Sequence, residues 1–240
     1  MHRILHYWLD HPPEQCVMDT ESQYLIFDGT FLHRRRGMYA AMNGRTHQVL
    51  YGAYGTNEGP RDLLNFCQML KGKGVEPKSA TIDGNPHIAR VLQFLWPQII
   101  IQRCLVHIQR QGFSWCRHHP QRPDARQLRR IFSMVLNIRS DEQRQQFQHI
   151  LDRWNQRYGM RLAQMPYRGW VTSDLQRARS MLINAIPVMF SYLQDPSIPR
   201  TTNALEGYFS RLKHRYRQHR GLSTHSRANY FRWYFYLCLR

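Results

Sequence analysis

Three acidic residues stand in contexts that suit metal-dependent chemistry on phosphodiesters. Asp28 and Asp83 each close a short apolar run and precede a glycine, and Glu206 follows far downstream. If the two runs are neighbouring strands and a helix carrying Glu206 packs across them, the three carboxylates converge. Carboxylate oxygens are ligands that Mg²⁺ and Mn²⁺ prefer, so the trio predicts a site for two divalent cations.

Each acid also has a purely structural interpretation. Asp-Gly is a favoured hairpin turn, but a predicted helix rather than a returning strand follows Asp83, and the apolar run of Asp28 continues beyond it. Asn203 and Glu206 have the spacing of a capping box, in which Asn203 caps the helix and Glu206 reaches back to it. For Glu206 the sequence leaves that alternative open.

Basic residues follow Glu206 on the same predicted helix face. Steps of four, three, four and three connect Glu206, Ser210, Lys213, Arg217 and Arg220, so an acid begins a face that continues with bases. We predict that this segment grips DNA phosphates through Lys213, Arg215, Arg217 and Arg220. The interleaved Tyr208, Phe209 and Tyr216 are expected to stack on bases. The clusters at 34–36 and 122–130 are more typical of solvated faces.

The composition favours a polyanionic partner. The 240 residues include 34 Lys and Arg against 16 Asp and Glu, a formal net charge of +18, which suits nucleic acid. An apolar fraction of 42% and an aromatic fraction of 12% are enough for a packed core, so a disordered basic tail is excluded. We therefore expect a folded nucleic-acid-binding protein.

The cysteines favour reduced thiols and raise a zinc alternative. Five cysteines, an odd number, are scattered along the chain, which argues against a disulfide framework. Cys104 with His107 and Cys116 with His119 form two Cys-x-x-His pairs, a familiar zinc ligand set. If the segment is one helix, however, the two cysteines lie about 18 Å apart at about 1.5 Å per residue, too far for one ion.

The first half of the chain alternates strands and helices. Strands are expected at 24–32, 38–43, 47–55, 78–83 and 98–102, and helices at 60–71 and 86–95. Asn43-Gly44 predicts a tight turn. The order β-β-β-α-β-α-β is that of ribonuclease H-like α/β folds, which have a mixed five-stranded sheet with flanking helices. Their first and fourth strands are neighbours, which would bring Asp28 beside Asp83.

Helical periodicity replaces strands after about residue 103. Amphipathic segments at 126–137 and 141–158, and one at 174–193 interrupted by Pro187, predict an all-helical insertion before the helix of Glu206. We accordingly expect an N-terminal remnant or linker (1–22), a first part of the core (23–116), the helical insertion (117–200), and the C-terminal catalytic helix and tail (201–240).

These motifs together resemble DDE transposases of bacterial insertion sequences, in their Mutator-like branch. The resemblance is carried by Phe27-Asp28-Gly29-Thr30, Ile82-Asp83-Gly84, Cys104-Leu-Val-His107, and Asn203-Ala-Leu-Glu206 with the bases behind it. It implies that Asp28, Asp83 and Glu206 are catalytic and hold two Mg²⁺ or Mn²⁺ ions, with Cys104 and His107 near the site.

The resemblance also implies an activity and partners. The activity is cleavage of double-stranded DNA at element ends followed by strand transfer to target DNA. The protein would act as a homodimer or higher assembly on DNA. Its location would be the bacterial cytoplasm, in association with the nucleoid. No apolar stretch approaches the roughly 20 residues that span a bilayer, so no membrane partner is expected. Two alternatives stay open: an inactive or truncated transposase-derived DNA-binding protein, and a ribonuclease H-like nuclease that cuts without joining.

One feature departs from that family. Its members normally carry a DNA-recognition region before the catalytic domain, and here only 23 residues precede the first expected strand. We therefore expect a catalytic fragment, a truncated element, or a protein whose recognition of element ends lies elsewhere.

Overall fold

A mixed sheet forms the centre of the fold. The structure is a computed structural model that describes residues 7–14, 20–33, 36–56, 59–165, 170–219 and 221–238, with 33, 36, 56, 170 and 238 described by their backbone alone. In these residues five strands form one sheet: β1 (Tyr24–His33), β2 (Arg36–Asn43), β3 (Val49–Thr56), β4 (Ser79–Ile82) and β5 (Ile100–Arg103). Their order is β3-β2-β1-β4-β5. Because β1 pairs antiparallel with β2 and parallel with β4, the first and fourth strands are neighbours, as predicted.

Helices connect the later strands and make up most of the remaining chain. They are α1 (Pro60–Gly72), α2 (Pro86–Leu95), α3 (Leu105–Cys116), α4 (Pro123–Met134), α5 (Asp141–Trp154), α6 (Met160–Gln164), α7 (Trp170–Ala185), α8 (Asn203–Tyr216) and α9 (Thr224–Cys238). Proline occupies the first turn of α1, α2 and α4, where its missing N–H is no loss. Among the described helices none is both long and apolar enough to cross a bilayer.

The two faces of the sheet bury separate cores. Leu25 and Phe27 of β1 pack with residues of α1 and α2, whereas Ile26 packs with residues of α8 and α9. This division follows from the period of two along a strand, which sends successive side chains to opposite faces. The even-numbered residues of β1 therefore face α8, the helix that carries Glu206.

The chain divides into two compact units. One comprises the described residues up to Ile101 and from Ser197 onward, and the other comprises Gln102–Pro196. The second unit is helical and has its own core, in which Phe132 and Phe147 are fully buried. The Nε1 of the buried Trp154 donates a hydrogen bond to the Asp124 carbonyl at 3.0 Å. This unit begins at Gln102 and includes α3, so it starts ahead of the segment 117–200 expected as the insertion.

Most predicted elements are present, including the turn that Asn43-Gly44 begins. This turn is not a two-residue hairpin, because residues 44–48 separate β2 from β3. The Asn43 side chain instead accepts hydrogen bonds from the amides of Arg45 and Thr46, at 2.8 and 3.1 Å, which supports a longer loop. The open, mixed sheet flanked by helices is α/β and ribonuclease H-like.

Candidate active site

The register of β1 and β4 aligns the two aspartates. Tyr24 pairs with Ser79 and Ile26 with Thr81, a constant offset of 55 residues that also relates Asp28 to Asp83. Asp28 lies within β1, opposite Ala40 of β2, so the strand continues through it as predicted. Asp83 follows the last residue of β4, and α2 rather than a returning strand comes next. Asp28 therefore lies on the face of the central strand that α8 covers, and Asp83 follows the end of the neighbouring strand at the same sequence offset.

The third acid lies in the first turn of α8. The N-cap is Thr202, whose carbonyl accepts hydrogen bonds from the amides of Leu205 and Glu206, both at 3.0 Å. Asn203 is the first helical residue, so the alternative of a capping box with Asn203 as the cap does not hold. A carboxylate in a first turn is favoured by the helix dipole.

The structure brings two of the three carboxylates close together. One oxygen of Asp28 and one of Glu206 lie within 4.8 Å of each other. Asp28 is 6% exposed, and one of its oxygens accepts a hydrogen bond from the Gly29 amide at 2.8 Å. The Asp83 carboxylate does not join this close pair; it accepts a hydrogen bond from the Asn85 amide at 2.9 Å, while Asn85 caps α2.

Contacts on either side of the acid pair hold α8 against the sheet. Ile26 packs in one cluster with Leu205, and Thr30 accepts a hydrogen bond from the Lys213 ammonium group. The Thr81 hydroxyl donates to the Pro199 carbonyl, just before the helix. Asp28 and Glu206 therefore lie between two fixed points of the interface between strand and helix.

The predicted DNA-binding residues differ in their surroundings. Lys213 is partly buried, and burial, with a smaller contribution from the Arg217 charge, lowers the pKa of its ammonium group. Arg215 is exposed and lies over the Tyr234 ring at 5.8 Å. Arg217 is exposed after the end of α8. Arg220 lies outside the described residues.

The aromatic residues interleaved with these bases belong to the core. Tyr208, Phe209 and Tyr216 are 7%, 3% and 4% exposed and pack against the sheet. The prediction that they stack on bases is therefore wrong, because all three rings lie in the core between α8 and the sheet.

The Cys-x-x-His pairs are separated by a helix. Cys104 is buried at the N-cap of α3, and His107 lies half-buried in the first turn. Cys116 is the last residue of the same helix, so about 18 Å separates the two cysteines along the axis. One zinc ion cannot bind both, as the sequence indicated. The role of Cys104 and His107 near the site stays a prediction.

The two carboxylates suit a hard divalent cation. Two carboxylates within 4.8 Å of each other, one of them buried, repel unless a cation or a proton lies between them. Oxygen donors are what Mg²⁺ and Mn²⁺ prefer. Asp83 occupies the register position from which a third carboxylate would join.

The fold and these acids define a class of protein: a ribonuclease H-like α/β protein with acidic residues gathered on the central strand and a covering helix. A sequence model described as "Transposase, Mutator family" matches residues 38–222, which include Asp83 and Glu206 and begin after Asp28. A probable transposase for an insertion sequence element from Corynebacterium diphtheriae is 26% identical over 78 residues, which is 32% of this chain.

The chain belongs to the Mutator family of transposases, since the family match covers more than half of its length. The match to the corynebacterial relative spans only 23% of that protein.

Proposed function

We propose that this chain carries the catalytic unit of a transposase that cuts double-stranded DNA at the ends of an insertion sequence and joins them to target DNA. The observation that carries the proposal is the approach of the Asp28 and Glu206 carboxylates to within 4.8 Å. Asp83, which follows the strand beside β1 at the same sequence offset, is proposed as the third acid.

The three acids would hold the metal ions. Two Mg²⁺ or Mn²⁺ ions bound there would supply activation of the attacking oxygen and stabilisation of the leaving oxygen in an in-line displacement. The protein's own contribution is rigidity, because Asp28 is built into the central strand and Glu206 into a helix packed on it. Lys213, held by Thr30, adds a positive charge on the same face for the phosphate.

Two displacements at phosphorus account for the reaction. In the first, water forms a new bond to phosphorus and the bond to the 3′ oxygen breaks, which leaves a 3′-hydroxyl at the element end. In the second, that 3′ oxygen attacks a target phosphodiester and displaces the target's 3′ oxygen as a hydroxyl. Neither step needs a covalent bond to the protein.

Substitution of each acid tests this function. In Asp28→Asn, Asp83→Asn and Glu206→Gln, metal-dependent cleavage and strand transfer are expected to fall at least about 100-fold, because transition-state charge loses its stabilisation. DNA binding is expected to persist. Glu76→Gln is the matched control, since Glu76 is an exposed acid in the loop after α1, and it should retain activity. The assay follows labelled element-end DNA with Mg²⁺ and with EDTA.

The outcomes separate the alternatives. Wild-type products that are cut but never joined would favour a nuclease. DNA binding without any metal-dependent cleavage would favour an inactive transposase-derived protein. Wild-type rates in Asp28→Asn would refute the assignment of that acid. A homodimer on paired ends is part of the proposal, and the mass of the complex with DNA tests it.

A further inference from the structure

Three adjoining grooves on the helical unit are lined largely by arginines. A groove of about 300 Å³ between α4 and α5 is lined by Arg130, Arg153 and Arg157. Arg130 also lines a second groove, of about 350 Å³, with Arg126 and Arg129. Arg157 also lines a third, of about 390 Å³, with Arg161. Because neighbouring grooves share an arginine, these six side chains form one continuous surface, here called the arginine track.

Acidic side chains hardly offset the positive charge of the arginine track. Among the described residues that line these grooves, Asp124 is the one acid, and it pairs with Arg122 at 2.6 Å. Within the described ranges, the arginines that form ion pairs with acids include Arg117, Arg144 and Arg177, which lie outside the track. Like charges at four-residue spacing destabilise a helix, so an ordinary solvated face would be expected to mix signs. The track therefore has the electrostatics of a polyanion site.

Two arginines of the track are held in place by aromatic rings. The Arg129 guanidinium lies 4.2 Å from the centre of the Phe113 ring and donates a hydrogen bond to the Phe113 carbonyl at 3.3 Å. The Arg157 guanidinium lies 5.3 Å from the centre of the Tyr158 ring. Such contacts restrict the side chains before a ligand arrives, which reduces the entropy lost on binding.

A π-helical segment sets the position of Arg157. Asn155–Gly159 joins α5 to α6 in a π-helical turn, a feature frequent at functional sites. The Arg179 guanidinium of α7 donates to Asn155 Oδ1 at 2.7 Å, and a Cβ at Gly159 would lie only 2.2 Å from that oxygen. Packing therefore fixes the segment that carries Arg157 and connects Arg153 of α5 to Arg161 of α6.

We propose that the arginine track binds the phosphate backbone of double-stranded DNA, independently of base sequence. Guanidinium groups bind phosphate oxygens with two parallel hydrogen bonds, which suits a row of phosphates. The choice of DNA as the ligand rests on the proposed function. The track adds a second contact region on the helical unit, separate from the residues of α8.

Removal of three adjacent charges tests the track in the full chain. In the triple variant Arg130→Gln/Arg153→Gln/Arg157→Gln, affinity for a duplex of unrelated sequence is expected to fall at least tenfold. The slope of log affinity against log salt should decrease by about 0.9 for each phosphate that the variant no longer neutralises. The control Arg61→Gln/Lys73→Gln/Arg90→Gln removes the same charge from exposed positions of α1, its C-cap and α2. It should keep the wild-type slope. Far-ultraviolet circular dichroism checks that each variant is folded.

The results distinguish this site from the catalytic proposal. An unchanged affinity and salt slope in the folded track variant, or an equal loss in the control, would overturn the track. Tighter binding of duplex RNA in competition would also overturn it. If the wild type binds DNA through the track but never cleaves it, the track stands and the catalytic proposal fails. If the track variant binds and cleaves DNA like the wild type, the catalytic proposal stands and the track fails.

Discussion

Asp28 and Thr30 bring one strand into contact with both an acidic and a basic residue of α8. They are two residues apart on β1 and face the same helix; Asp28 approaches Glu206, while Thr30 accepts a hydrogen bond from Lys213. At about 3.3 Å per residue, roughly 7 Å separates the acidic and basic positions along the strand. A phosphate next to the acids would therefore lie within reach of a positive charge.

The buried thiols give a prediction at the same scale. Burial raises the pKa of Cys67 and of Cys116 to about 12 from an ordinary value of 9.0. Because only the thiolate is nucleophilic, both cysteines should resist iodoacetamide at mildly alkaline pH in the native protein and react after denaturation. Mass spectrometry of digested protein measures this.

The sign of the pH effect follows from the same pKa values. A thiol whose pKa is higher in the folded state stabilises the fold below pH 9, and this contribution is lost as the pH rises toward 12. Alkylation of native Cys116 as fast as in denaturant would contradict its place inside the helical unit.

Residue-level prediction succeeded where the signal was local. The apolar run through Asp28 and the helix after Asp83 were readable from adjacent residues. The hydrogen bond from Lys213 to Thr30 connects residues 183 positions apart in the sequence, and no local pattern predicts it. The alternative of Asn203 as a helix cap stayed open in the sequence, and the structure excludes it because Thr202 is the N-cap of α8.

At the scale of elements, periodicity gave the strands and helices but not their irregularities. The break near Pro187 was predicted, and short 3₁₀ turns at Ile186–Val188 and Ser191–Leu193 follow α7. The π-helical turn at Asn155–Gly159 was not predicted, since it depends on Arg179 from another helix. Sequence reasoning ended the helix at residue 158 and therefore did not connect Arg153 and Arg157 with Arg161 of α6.

Close packing of α3 against α4 gives a prediction for the helical unit. A Cβ at Gly112 would lie 2.3 Å from the Phe132 ring, which is fully buried. Overpacking of this kind costs about 1–3 kcal/mol, and the better helix propensity of alanine offsets about 1 kcal/mol. Gly112→Ala should therefore lower the stability of α3 and α4, measured as faster amide hydrogen exchange there in urea.

The matched control is a helical glycine with open space. Gly72 ends α1, and a Cβ there would meet nothing within 4 Å. Gly72→Ala should leave exchange unchanged or slow it slightly. Equal destabilisation by both substitutions would mean that backbone effects, rather than the contact with Phe132, cause the loss of stability.

At the scale of the whole molecule, the basic residues behind the net charge of +18 are grouped in more than one region. The predicted bases of α8 belong to the unit with the sheet, and the arginine track belongs to the unit Gln102–Pro196. The acids of the candidate site all belong to the first unit. The sequence predicted the partner from total charge, but only the folded helices reveal which arginines share a surface.

The location of the three acids predicts how Mg²⁺ acts on the whole molecule. A metal that binds Asp28, Asp83 and Glu206 only in the folded state stabilises it, by about 2.7 kcal/mol when its concentration is 100 times its Kd. Added Mg²⁺ should therefore slow hydrogen exchange in β1, β4 and α8, and leave exchange in α4 and α5 unchanged.

The Asp28→Asn variant should lose this protection by Mg²⁺, whereas the Glu76→Gln variant should keep it. Sodium chloride at equal ionic strength separates binding from screening. Equal protection of both units, or protection that survives in Asp28→Asn, would place the metal elsewhere and remove the physical basis for the three acids as its ligands.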